Sequence, residues 1–309
     1  MPRYFITARH DVWVAPVYDF RRLFTPPRDP VPHGDGPRLH AVLYCAAYAT
    51  TERTFEMNSD IAAILVERGE QLFRAAAKPV VFAGVPAADA LISDLAQHPH
   101  AFVLACVMDR QIKAERAWLI PYRVSEALGG FAFERLLQLP LDDVRTLLTV
   151  PEPLHRFPAE MSRNFHEAIG LIQTAYGGNA ARIWSDTPSS AEVVIRFLRF
   201  RGVGPKIATM AANILAREFK VPLADYFAID VSADVHVRRV FWRLGLTTEK
   251  AGTDEVIYTA RALHPAFPGL MDLPVWEIGR TWCRPQEPRC AQCYMRPVCT
   301  TGRMIRSVG

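Results

Sequence analysis

At 309 residues the chain can bury a sizeable core and is expected to form two domains. Half of it is hydrophobic and 22% is charged, an ordinary globular balance, and no apolar run approaches the roughly 18 residues needed to span a bilayer. The net charge of +4 is unevenly spread: from Arg196 onward Lys+Arg outnumber Asp+Glu by 17 to 10, while before it the balance is 19 to 22. The basic part points to an anionic partner such as nucleic acid.

The start, MPRYFITARHDVWVAP, mixes charges with short apolar stretches and shows no secretory signal. A soluble, cytoplasmic protein is expected, with no membrane contact. Asp11–Phe20 has the pattern of a short strand. The Pro/Gly-rich Thr25–Arg38 is expected as a loop, and Leu39–Ala49 and Asp60–Ala77 as helices. Cys45 and Cys106 lie inside apolar runs, where reduced, buried cysteines behave as small hydrophobes. No internal repeat is present.

After Val85 the pattern is helical throughout, over Ala87–Ala96, Ala101–Val107, Gln111–Leu128 and Ala159–Tyr176. Ser190 is expected to cap a helix in which Val193, Val194, Phe197 and Leu198 share a face. Strand signals are few, so the expected class is mainly α.

Phe200-Arg201-Gly202-Val203-Gly204-Pro205-Lys206 separates two helices. In the second, Ile207, Met210, Ala211, Ile214, Leu215 and Phe219 recur at helical spacing, and Pro205 suits the first helical position. The glycines permit a tight turn that brings backbone N–H groups outward, a site fit for a phosphate. A solvated lysine that binds phosphate is the plain reading of Lys206, and a free amine able to form a Schiff base is the chemical one. Farther on, Asp234-Val235-His236 opens a helix that stops at Gly245. Asp234 suits an N-cap and can also present a carboxylate to developing positive charge. Asp230 is a rival carboxylate four residues upstream.

Four of the six cysteines fall in CRPQEPRCAQCYMRPVC, at Cys283, Cys290, Cys293 and Cys299. The spacing Cys-x6-Cys-x2-Cys-x5-Cys on a Pro-punctuated loop suits one centre wrapped by thiolates, either zinc or an iron–sulfur cluster. Disulfides do not fit the cytosolic look of the chain.

These motifs, in this order over roughly Ala87 to Thr300, resemble the endonuclease III-like helix-hairpin-helix (HhH-GPD) DNA glycosylase/AP lyase family. The resemblance implies a two-domain, mainly α fold with the active site between the domains. It assigns 101–228 to a six-helix domain and 86–100 with 229–309 to an iron–sulfur domain. Residues 1–85 remain as an N-terminal extension without an assigned role. The four cysteines would hold a [4Fe–4S] cluster, Lys206 would be the nucleophile and Asp234 its catalytic carboxylate. Gly202, Val203 and Gly204 would meet DNA phosphates, as would Arg284 and Arg289 from the cysteine loop. Gln111 would enter the duplex behind a flipped base.

The implied activity is that of a bifunctional enzyme in base excision repair. It would remove a damaged or modified base, with oxidised pyrimidines as the default, and nick the abasic strand by β-elimination. The implied partner is double-stranded DNA carrying such a base or an abasic site, met by a monomer. Three departures bear on the substrate: a long stretch between Lys206 and Asp234, Arg201 where proline is common, and Pro205 before the lysine. A monofunctional adenine-mismatch glycosylase would lack Lys206 and carry a large recognition domain after Cys299. A non-catalytic iron–sulfur DNA-binding protein would not need both Lys206 and Asp234.

Overall fold

The computed structural model describes residues 58–75 and 81–304. The strand, loop and helix expected within residues 11–49, and Cys45, lie outside them. Contacts divide the chain into Met1–Ala49 and Thr50–Gly309, and every described residue belongs to the second unit. Among the described residues there is no strand, as the mainly α expectation requires. None of their helices is long and apolar enough to cross a membrane.

The helices in order are α1 (58–74), α2 (Pro86–Ser93), α3 (Pro99–Met108), α4 (Ala114–Leu128), α5 (Phe133–Leu137), α6 (Leu141–Thr149) and α7 (Pro158–Tyr176). Then follow α8 (Ser190–Leu198), α9 (Pro205–Arg217), α10 (Val235–Leu244), α11 (Thr253–Leu263), α12 (Asp272–Thr281) and α13 (Thr300–Met304).

The first core is organised by α3. Its sequence PHAFVLACVM is apolar on every side, so no face of the helix can be turned to water, and all ten residues are buried. α2, α4, α7 and α9 pack around it. Phe102 projects from α3 edge-on against Trp184, Phe197 and Phe219, with centroids 5.3–6.3 Å apart. Truncating such a side chain to Ala costs about 3–5 kcal/mol. Cys106 is buried here as a free thiol, as its apolar run predicts.

The second core is smaller. Val237, Val240, Phe241 and Leu244 of α10 meet Val256 and Ala260 of α11 and Val275 and Ile278 of α12. α10 and α12 cross closely at Gly279, where an added Cβ would lie 2.8 Å from the Cβ of His236. α1 contributes Ile61 and Leu65, and Arg68 pairs with Glu277 of α12 at 3.2 Å. The described part of the N-terminal extension thus completes the second core.

Two boundaries differ from expectation. Residues 86–100, which the resemblance assigns with the cysteine loop, contribute Ile92 to the first core, and α2 lies against α4. The helix expected from Gln111 begins only at Ala114, because Gln111 adopts a left-handed backbone with φ 57°.

The two cores are tied together by polar contacts. Asn213 Nδ2 donates to the Gly269 carbonyl at 2.8 Å, and Arg280 pairs with Glu115 at 2.9 Å. These contacts hold α9 and α4 of one part against the α12 region of the other.

Candidate active site and cysteine centre

The cap of α8 is Ser189, not Ser190: Ser189 and Glu192 form a reciprocal capping box. Ser190 is the first helical residue, and its hydroxyl donates to Asp225, anchoring the connector that leads from α9 towards α10. The turn between α8 and α9 depends on Gly202, at φ 84°. An added Cβ there would be strained and would also meet Asn164 Nδ2 at 2.5 Å. Gly204 is different. It caps α9 with an ordinary extended backbone, and nothing lies within 4 Å of its Cβ position. The open space before the N–H groups of Gly204 and Lys206 is where an anion can approach. Val203 points inward and is 8% exposed, so what it offers a ligand is backbone.

Pro205 occupies the first position of α9 and Lys206 the second. The Lys206 amine reaches out of the helix, with 46% of the side chain exposed, so it is accessible to a ligand. Its ion-pair partner is Asp109, at the C-terminal end of α3, with Oδ2 3.8 Å from Nζ. Asp109 is buried, at 7% exposure. Burial pushes its carboxyl above the ordinary range, Lys206 opposes that, and nearby Asp234 pushes it up further.

Asp234 is the N-cap of α10, as its sequence context predicts. Its Oδ1 accepts from the N–H groups of His236 at 2.8 Å and Val237 at 2.9 Å, which fixes the carboxylate. Asp230, the rival, is held by Arg261 through two hydrogen bonds of 2.7 and 2.8 Å and is occupied structurally. Asp272 opens α12 and accepts from the Ser232 N–H at 2.6 Å. Burial raises its pKa to about 6, and the charge of Asp234 contributes in the same direction. Asp109, Asp234 and Asp272 thus share one electrostatic neighbourhood with a single lysine.

The turn carrying Gln111 lies against the hairpin. Arg110 Nη1 comes to 3.7 Å from the Cβ position of Gly202 and pairs with Glu160 at 2.6 Å. Gln111 itself is exposed at the tip of that turn.

The cysteine loop is held by two arginines that the motif reading misses. Arg239 donates to the carbonyls of Cys283 (2.7 Å) and Gly279 (2.8 Å). Arg243, one turn on, donates to Arg284 O (2.6 Å) and Pro285 O (2.9 Å) and reaches Cys283 Sγ at 3.5 Å. Their i,i+4 spacing on α10 is the signal that could have found them. Arg284 and Arg289 are exposed, with no carboxylate partner for either side chain among the described residues.

Cys283, Cys290, Cys293 and Cys299 are free thiols lining one cavity of about 30 Å³, whose other walls include Val240, Leu244, Ile278 and Met295. Among the described residues, no three His, Cys, Asp or Glu side chains converge on a point suited to a single metal ion. The thiols are ranged around the cavity wall instead. Burial pushes Cys293 up to about 11, and the neighbouring cysteines add to the rise. Four thiolates in an apolar pocket need a cationic centre to be stable, so the donor set suits a thiolate-ligated cluster.

No family model matches the chain. Endonuclease III of Thermotoga maritima is 31% identical over 137 residues, 43% of this chain and 53% of that protein. Endonuclease III of Bacillus subtilis is 26% identical over 150 residues, covering 46% and 56%. The Gallus gallus endonuclease III-like protein 1 is 25% identical over 178 residues, covering 56% and 54%. The chain spans about half the length of these curated relatives. A trapped endonuclease III–DNA covalent intermediate superposes with TM-score 0.54 at 18% identity, covering 80% of this chain and 98% of that one. The chain is thus similar in part of its sequence, and in its fold, to endonuclease III proteins. A thermostable thymine-DNA glycosylase has the same fold, with TM-score 0.54 at 14% identity over 81% of this chain and 99% of that one.

Proposed function

We propose that this endonuclease III-like protein is a DNA glycosylase with AP-lyase activity that acts on damaged duplex DNA in base excision repair. The observation that carries the reading is the accessible amine of Lys206, beside the open N-terminus of α9 and within the field of fixed carboxylates. A phosphate seated at Gly204 would bring the neighbouring sugar towards that amine. The glycosidic bond is inaccessible in a stacked duplex, so the target nucleotide must be flipped, and Gln111, which is exposed, would occupy the gap.

Within the site, Lys206 Nζ attacks C1′ and the base departs with the electron pair of the glycosidic bond. Asp234, held by two N–H donors, presents negative charge to the oxocarbenium-like sugar. The C1′–O4′ bond then breaks, Nζ giving up a proton and O4′ gaining one, to leave the ring-opened imine; this acidifies the C2′ proton, and β-elimination expels the 3′ phosphate and breaks the strand on the 3′ side. Oxidised pyrimidines are the substrate class we assign by default. Arg284 and Arg289 would contribute phosphate contacts that are salt-dependent and indifferent to base.

We assign Cys283, Cys290, Cys293 and Cys299 as ligands of a [4Fe–4S] cluster. Bound, the cluster would supply a fixed, positively charged core that holds the loop in shape. The residues of the cleft perform the chemistry.

Borohydride trapping on abasic duplex DNA tests the reading. The wild type should form a covalent adduct, and Lys206→Ala should lose it while remaining folded, with a lowered melting temperature because buried Asp109 loses its counter-charge. Asp234→Asn should slow base release by about 10²–10³-fold. No adduct from the wild type would sink the lyase activity. No base release from a broad lesion panel as well would leave a non-catalytic DNA-binding protein.

A further inference from the structure

The carboxylate nearest the lysine is not the one its motif nominates. Lys206 pairs with Asp109, whereas Asp234 spends one carboxylate oxygen on two backbone N–H groups and has no ion pair with Lys206 within 4.0 Å. Asp109 is buried at the end of the central helix α3. No hydrogen bond or ion pair other than that with Lys206 engages its side chain among the described residues. A buried carboxylate whose single contact is the nucleophile is unusual as a structural element, because its desolvation is repaid by nothing else.

The groups around it define its electrostatics. Lys206 faces it from α9, Asp234 from the start of α10, and Glu115 from α4. Arg110 follows it on the same turn but is neutralised by Glu160, and the His155 ring stands near the carbonyls of Met108 and Arg110. Asp109 is therefore a buried carboxylate and the one that pairs with the amine. Asp234 is the one fixed by the helix end.

We propose that Asp109 is a further catalytic residue, the carboxylate that exchanges protons with the Lys206 nitrogen, while Asp234 remains the fixed anion opposite the sugar. This rests on the glycosylase/lyase reading above. On a ring-opened abasic sugar the step balances as follows. Asp109 takes one proton from the Lys206 ammonium and frees the amine. Nζ then bonds to C1′ as the carbonyl pair moves onto oxygen. Through the same carboxylate Nζ loses a second proton, the oxygen gains two, and water leaves. The product is the iminium, with Asp109 ionised again. The separation of 3.8 Å is long for a hydrogen bond, and substrate-free proton-transfer pairs commonly tighten only in the complex.

Two roles of Asp109 predict opposite signs. If it served only as a neighbouring anion, its removal would favour the free amine and speed imine formation at neutral pH. If it carries the proton, removal slows the reaction although more amine is free. The experiment measures borohydride trapping on abasic duplex from pH 5.5 to 9.5 for wild type, Asp109→Asn and Asp109→Glu, with thermal melts as the fold control. Asp109→Asn should trap about 10²-fold more slowly at pH 7, with Asp109→Glu recovering part of the loss. Trapping at or above the wild-type rate in Asp109→Asn overturns the proposal.

A second measurement needs no DNA: acetic anhydride labelling of Lys206, read by peptide mass across the same pH range. Its alkaline midpoint should fall in Asp109→Asn, and an unchanged midpoint overturns the coupling even if the wild type traps. Conversely, a shifted midpoint with no wild-type adduct overturns the lyase reading, and the chemistry proposed here with it. Should Asp109→Asn fail to fold, Asp109→Glu decides. Trapping slowed while the labelling midpoint is retained supports the proton role, and unslowed trapping overturns it.

Discussion

The first core is closed by aromatic and aliphatic side chains on every side of α3, whereas the second is closed on one side by α1 and on the other by half-exposed cysteines. The first can therefore be stable by packing alone. The second has fewer buried side chains and places around its cavity four thiols that repel one another once ionised. If the proposed cluster is bound there, a part built in this way would depend on it for stability, as small metal-stapled domains do. The candidate site straddles the two: Lys206 and Asp109 stand on the first core, and Asp234 caps a helix of the second.

The largest test of this contrast removes one thiol. Cys293→Ser should lower amide hydrogen-exchange protection in α10 and α12 by several orders of magnitude while α3 keeps its protection. Equal losses in both would mean that the cores are one cooperative unit. Acid should also act on the two parts with opposite sign. In the first core, burial pushes His100 down to about 4, and its Nε2 bonds the Phe131 carbonyl at 2.7 Å. The unfolded chain takes up a proton near pH 6.5 and the folded chain does not. Stability is therefore lost as pH falls from about 6.5 to about 4, by about 3 kcal/mol in all. Urea midpoints of His100→Gln should lack that slope, and a retained slope would assign it to other groups.

Asp272 runs the other way. Its folded pKa of about 6 lies above the unfolded value, so its cost is full above pH 6 and is relieved as pH falls towards about 4. Asp272→Asn retains an acceptor for the Ser232 N–H and should stabilise the protein by about 1–2 kcal/mol at pH 8, with no gain at pH 4. A gain that persisted at pH 4 would exclude ionisation as its cause. The smallest effect separates the two hairpin glycines. Gly204→Leu should change stability by less than about 1 kcal/mol yet weaken duplex binding, because its Cβ enters open space before the helix end. Gly202→Ala should instead destabilise by about 1–2 kcal/mol through its positive φ and the contact with Asn164. Unchanged DNA affinity in Gly204→Leu would remove the hairpin as a phosphate site.

Features carried by local chemistry were legible in the chain. The apolar run of α3, the tight turn at the hairpin glycines, Pro205 at the start of α9, the Asp234 cap and the stop at Gly245 each depend on a few adjacent residues. The capping residue of α8 was misplaced by one position, because two adjacent serines have the same propensity and only the reciprocal bond to Glu192 separates them. Gln111 looked helical because its left-handed backbone leaves no trace in hydrophobic periodicity.

By itself, then, the sequence determined the mainly α class, the hairpin, the accessible lysine and the clustering of four thiols, since each follows from residue type and short-range spacing. Tertiary structure alone decided which partners those groups meet. Asp109 is 97 residues from Lys206 in the chain and reaches it only because α3 ends beside α9. Arg239 and Arg243 brace a loop some 40 residues away, and α1 completes a core made by the opposite end of the chain. Contacts of that kind are set by how helices cross, and no local pattern encodes the partner of a charge that only the packed state brings near.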